Sequence, residues 1–160
     1  MIVYRITSSA FATDLSGEGS RLYGGRWNSK GTALLYTSEH PALALLEALA
    51  HVTMITMHTP KSLIAIDCPD EWFEPAHNLV YQVQAAALPA NWQKSPPQES
   101  LAIIGDAFAA ASHNIVLKVP SVLMPECSNY LFNCRHPVFS QAKIISHRPV
   151  QFDMRLLQKT

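Results

Sequence analysis

The sequence predicts an α+β fold: one domain over residues 1–160, with small mixed or antiparallel sheets at its centre and helices flanking them. Three observations predict it. The chain has 160 residues, close to the roughly 150 of a single domain with one core. Short runs rich in β-branched and aromatic residues lie towards both ends, punctuated by proline and glycine. Only two segments carry helical spacing, and both lie between those runs.

Taken in order, residues 2–6 (Ile-Val-Tyr-Arg-Ile) read as an opening strand, followed by a polar, glycine-bearing loop from Ser16 to Ser20. Residues 32–37 form a second strand, bounded by Gly31 and Ser38. Pro41 suits the first turn of a helix that runs to about His51. Residues 62–67 are a further strand, closed by Cys68-Pro69, and the Pro-, Trp- and Asn-rich stretch 71–97 reads as loop with one helical turn. A second helix runs to about Ser112, with Ser95 as its cap and Gln98 three residues on, as in a capping box. Five short strands close the chain at 115–119, 121–124, 129–132, 143–147 and 150–155, with prolines at 120, 125, 137 and 149 between or beside them.

Composition then narrows the function. Apolar residues are 48% of the chain, too many for a disordered protein. Lys plus Arg and Asp plus Glu each total 12, so there is no excess of positive charge to displace counterions from nucleic acid. Charged residues are 15%, against a usual figure of about 25%. A surface so near neutrality favours association, so a partner or a second copy is expected. Three cysteines, without C-x-x-C spacing, suit a reduced cytoplasmic setting. The most apolar stretch, 42–50, is interrupted by Glu47 and falls far short of the about 20 residues of a membrane span, so no membrane partner is expected.

Glu47 is the only acid in that helical run and falls inside its apolar stripe. It reads either as half of a structural pair, with His51 or an arginine, or as a carboxylate held in a dry cleft where its charge acts strongly. Gly24-Gly25-Arg26-Trp27-Asn28 brings a guanidinium fork to a tight turn, for phosphate or carboxylate, or else a hairpin in which Arg26 stacks on Trp27. Ser121, Ser128-Asn129-Tyr130 and Asn133 to Pro137 offer hydroxyls and amides that orient a sugar or an amide, or simply form turns. No H-E-x-x-H spacing joins the seven histidines and no G-x-S-x-G elbow is present, so neither a metal site nor a serine hydrolase is expected.

Tyr4-Arg5, Gly24-Gly25-Arg26-Trp27-Asn28, Leu35-Tyr36-Thr37-Ser38, Ala44-Leu45-Leu46-Glu47, Val119-Pro120-Ser121, Asn129 to Asn133 with His136-Pro137, and Phe152-Asp153-x-Arg155-Leu156 occur in one order along the chain. In that order they resemble the RES-domain family, the toxins of Res–Xre toxin–antitoxin pairs. The resemblance implies a fold like that of ADP-ribosyltransferases (diphtheria-toxin-like). It implies an enzyme that depletes NAD+ by cleaving the nicotinamide–ribose bond, as a glycohydrolase or a phosphorylase. NAD+ is then substrate, inorganic phosphate the co-substrate of a phosphorylase, and no cofactor is required. The alternatives are transfer of ADP-ribose to a protein target and, from another class, a non-catalytic interaction module. Catalytic roles fall on Arg26, Glu47 and Ser121, with Ser128 close enough to compete for the serine role. Tyr36 and Trp27 are expected to stack against the nicotinamide, and Gly25, Ser128 and Asn133 complete the binding set. The implied partners are an Xre-type helix-turn-helix antitoxin and a second copy in a homodimer. Cys134 stands where the family usually has proline.

Overall fold

The strands meet in one continuous sheet. In chain order the elements are β1 (Ile2–Ser8), α1 (Glu18–Tyr23), β2 (Leu34–Ser38), α2 (Pro41–Ala50), β3 (Lys61–Asp67), β4 (Val80–Gln82), α3 (Glu99–Ala111), β5 (Val116–Pro120), β6 (Ser128–Asn133) and β7 (Lys143–Val150), with short 3-10 turns between them. This computed structural model describes residues 1–53 and 56–156; positions 54–55 and 157–160, which belong to the predicted domain, lie outside the described residues. Among the described residues the seven strands pair in the order β4-β5-β6-β2-β1-β3-β7. Every pairing is antiparallel except β4 with β5, which makes the sheet mixed.

Side chains alternate across a strand with period two, so each central strand feeds two cores. On one face Val3, Leu35, Ile64, Ile66, Val116 and Phe132 pack with Trp72 and Phe139. On the other, Leu34, Leu117, Val119 and Leu131 pack with Trp27, Trp92 and the α3 residues Leu101 and Phe108. Both faces are covered along the middle of β2, β5 and β6, and there apolar residues stand next to one another, as at Leu34-Leu35, Val116-Leu117 and Leu131-Phe132.

The α+β class predicted from sequence is what forms, as a single mixed sheet with few helices beside it. Several local expectations differ. The glycine-bearing loop contains α1, entered through Gly17 at φ +70° and tied by Arg21 donating to Glu18. Helix α3 starts at Glu99 with the extended Gln98 as its cap residue, not at Ser95, since a residue that precedes proline is disfavoured in the helical region and Ser95 and Pro96 both do. The stretch 71–97 holds β4, which lies parallel to β5. Residues 121–124 form a turn rather than a strand. The Ser121 hydroxyl captures the amides of Leu123 and Met124, which a strand would have needed for its ladder. The last two expected strands are one: β7 runs through Pro149 to Val150, which its place at the sheet edge permits, and 154–156 is a 3-10 turn.

Candidate active site

Three strand ends and one helix converge on Glu47. Ser38 closes β2, Asn129 is its cross-strand partner on β6, and Ser121 follows immediately after β5. On this face the residues run from apolar to polar along each strand: Leu34 to Tyr36 to Ser38, Leu131 to Asn129, and Val119 to Ser121. Helix α2 packs on β1 and β2, burying Leu43 and Ala44, and delivers Glu47 to this polar end.

The Glu47 carboxylate accepts two hydrogen bonds on one oxygen. Ser121 Oγ donates to Oε1 at 2.8 Å and Asn129 Nδ2 at 2.6 Å. Ser121 is fully buried, and its oxygen also accepts the amides of Leu123 at 3.1 Å and Met124 at 3.2 Å. His51 is exposed at the end of α2, and among the described residues no salt bridge reaches Glu47. The structural pair that the sequence left open, with His51 or an arginine, is therefore not formed. Two neutral donors hold the carboxylate instead, so its charge stays available to a ligand.

Arg26 approaches from the glycine-rich turn. Its Nη1 donates to the carbonyls of Trp92 at 2.6 Å and Lys94 at 3.1 Å. Both Nη1 protons are thereby committed, and the remaining guanidinium donors have no partner among the described residues. Partial burial lowers the Arg26 pKa, while the charge of Glu47, and then that of Tyr36, raises it. Arg26 and Glu47 are thus close enough to feel one another without bonding.

The turn itself is fixed by Tyr36 and Asn28. Tyr36 Oη donates to Asn28 Oδ1 at 2.6 Å and accepts the Trp27 amide at 3.1 Å. Asn28, only 1% exposed, sends Nδ2 to the carbonyls of Ser20, Ser29 and Thr32. Burial pushes the Tyr36 hydroxyl well above its ordinary pKa, so it stays protonated and keeps that bond. Gly25 has no room for a side chain: a Cβ there would lie 2.6 Å from Tyr36 Oη and 2.9 Å from Asn28 Oδ1. Helix α3 backs the turn, with Asp106 Oδ1 accepting the Ser29 amide at 3.0 Å and Gly105 lying against the Trp27 carbonyl.

Not every expected site residue reaches this place. The Trp27 ring is 3% exposed and packs 6.4 Å from Trp92, so it is core rather than a stacking platform. Asn133 lies at the far end of β6, opposite Leu34; it donates to the Ala109 carbonyl and accepts the Arg135 amide, closing a loop. Ser128 sits beside the site, but its amide donates to Glu39 Oε1 at 2.8 Å; of the two competing serines it is Ser121 that meets Glu47. Asn28, Ser38 and Asn129 stand in the segments that the sequence marked, but none of the three was given a role there. The available signal was strand alternation, which places Ser38 and Asn129 on the same face as Tyr36.

Two cavities, of about 340 Å³ beside Trp72 and His77 and about 510 Å³ between Lys61 and Pro149, include none of these residues. Among the described residues no group of three His, Cys, Asp or Glu side chains gathers to hold a metal ion, and no helix is long and apolar enough to cross a membrane.

Comparison with known proteins finds relatives of this chain. A model of the RES domain matches residues 2–153. A toxin Res from Pseudomonas putida (strain KT2440) is 38% identical over 146 residues, covering 90% of this chain and 92% of the relative. A Prs ADP-ribosylating toxin from Sphingobium sp. (strain YBL2) is 33% identical over 148 residues, covering 92% and 89%. Among solved structures, a chain of the M. tuberculosis MbcT–MbcA toxin–antitoxin complex superposes with a TM-score of 0.71 at 19% identity, over 94% of this chain and 84% of that one, a likeness of fold.

Proposed function

The chain belongs to the RES domain family, and from that premise we propose that it is the toxin of a toxin–antitoxin pair and consumes NAD+ in the cytoplasm by breaking the nicotinamide–ribose bond. The observation that carries the reading is the Glu47 carboxylate, held by Ser121 and Asn129 and bonded to no cation among the described residues. When the glycosidic bond breaks, its electron pair goes to the pyridinium nitrogen and nicotinamide departs neutral. No acid is needed to protonate it, and no metal to polarise it. What develops is positive charge on the ribose, as in glycoside hydrolysis. A preorganised carboxylate stabilises that charge most where water is scarce. Glu47 supplies it, and the free donors of Arg26 hold the pyrophosphate.

Ser121 is not the nucleophile in this reading. Its proton is committed to Glu47 and its lone pairs to two amides, so it fixes the carboxylate. Water or inorganic phosphate attacks the sugar carbon, and the proton it loses goes to solvent. Tyr36 acts through the Arg26 turn, and Gly25 lets that turn close.

The test is Glu47→Gln. The variant keeps the fold and loses NAD+ consumption by about 10² or more; a folded variant with wild-type turnover overturns the reading. A second reading, transfer of ADP-ribose to a protein, is favoured by the Sphingobium relative named as an ADP-ribosylating toxin. NAD+ labelled in its ADP-ribose part separates the two: label on protein means transfer, label in free ADP-ribose hydrolysis, and label in ADP-ribose phosphate phosphorolysis. The partners of this reading are an Xre-type antitoxin, in line with the toxin–antitoxin complex that shares the fold, and a second copy of the chain.

A further inference from the structure

We propose that Asn129, oriented by Ser38, is a positioning residue that commits Glu47 Oε1 to the protein and turns Oε2 towards the substrate; this rests on the NAD+-cleaving reading above. Ser38 Oγ lies 2.7 Å from Asn129 Oδ1, and an amide oxygen can only accept, so the hydroxyl donates. Ser38 is buried at the end of β2 and directly opposite Asn129 in the sheet. A carboxylate only accepts, so Nδ2 faces Glu47 Oε1, at 2.6 Å, and the Ser38 bond to Oδ1 holds the amide in that orientation from its other end. The reverse orientation would set an amide oxygen against the carboxylate and lose the bond to Glu47. On the other side Ser121 is fixed in the same manner, its oxygen accepting two amides and its proton going to the same Oε1.

Oε1 is therefore saturated from two directions, while Oε2 accepts no hydrogen bond among the described residues. The clamp joins β2 and α2, near the start of the chain, to β6 and the turn after β5, which lie far along it. A glutamate has three rotatable bonds, and holding one oxygen removes most of that freedom before substrate arrives. Asn129 and Ser38 act on the substrate only through Glu47, so their loss should appear in the chemical step rather than in binding.

The experiment measures kcat and KM for NAD+ consumption, with Tm as a folding control, in the wild type and in Asn129→Asp, Asn129→Ala, Ser38→Ala, Glu47→Gln and the double variant Glu47→Gln/Asn129→Ala. Asn129→Asp has nearly the shape of asparagine but replaces the donor with a second carboxylate. The expected result is a fall in kcat of about 10²-fold with KM within about twofold. Ser38→Ala lowers kcat by about tenfold, because the amide is freed to rotate. Acting through Glu47, Asn129→Ala adds nothing to Glu47→Gln, so the double variant turns over like Glu47→Gln alone. An Asn129→Asp protein with wild-type kcat overturns the proposal, and so does a double variant whose loss is the product of the two single losses. If Asn129→Asp does not fold, Ser38→Ala and the double variant still decide. A wild-type protein that leaves NAD+ intact overturns the functional reading itself, and with it this proposal.

Discussion

Replacing Tyr36 by phenylalanine removes one oxygen and strands two polar groups. The hydroxyl accepts the Trp27 amide at 3.1 Å and donates to Asn28 Oδ1 at 2.6 Å. Neither partner has an easy substitute, because Trp27 is 3% and Asn28 1% exposed and water has little access. An unsatisfied buried group costs roughly 1–3 kcal/mol, so the two together cost about 2–4 kcal/mol after partial relaxation. For a chain of this size each kcal/mol corresponds to a Tm change of about 2–4 °C, giving a fall of about 5–15 °C. The same change loosens the turn that carries Arg26, so KM for NAD+ rises while the ring's packing is retained. Thermal unfolding followed by circular dichroism and steady-state turnover check both parts. A Tyr36→Phe protein with wild-type Tm would refute the claim that this hydroxyl fastens the turn; wild-type KM with a lowered Tm would refute the link from the turn to Arg26.

Three further outcomes are expected, one from the same turn and two from the buried cysteines. Gly25→Ala forces a Cβ to within 2.6 Å of Tyr36 Oη; it should cost about 1–3 kcal/mol, as overpacking does, and raise KM for NAD+, read by unfolding and turnover. Burial pushes the thiols of Cys68 and Cys134 up to about 12. A raised acid contributes stability that is complete below its unfolded pKa, about 8.5, and is lost as pH climbs towards the folded value. Tm should therefore fall as pH rises from 8.5 to about 10.5, and fall less in a Cys68→Ala/Cys134→Ala protein; equal slopes in the two proteins would contradict this. Neither thiol should react with alkylating reagents at neutral pH while the chain is folded.

Where sequence and structure part, the reason is a contact that pattern cannot express. The two long apolar-periodic helices and the central strands were legible because period alone sets which face is buried. Helix α1 was not: its start is a glycine at φ +70°, and Ser20 anchors it by accepting the amide of Leu34, fourteen residues away. The turn at 121–124 reads as a strand until the Ser121 hydroxyl is seen to take two backbone amides. Trp27 reads from the sequence as a platform for the nicotinamide, and its burial against Trp92 makes it core instead. Asn133 and Asn129 are the same residue type on the same strand and face; one closes a loop near α3 and the other grips Glu47.

By itself the sequence determined the α+β class, the family to which the chain belongs, and two unusual residues, an acid in an apolar helix and an arginine in a glycine turn. These are local properties, carried by composition, period and motif order. The tertiary structure alone decided how Glu47 is held. Its partners come from residues 121 and 129, some eighty positions along the chain, and the orientation of the second depends on Ser38. Those three side chains become neighbours only because β2, β5 and β6 lie side by side and end together, and no one-dimensional pattern records which strand ends meet.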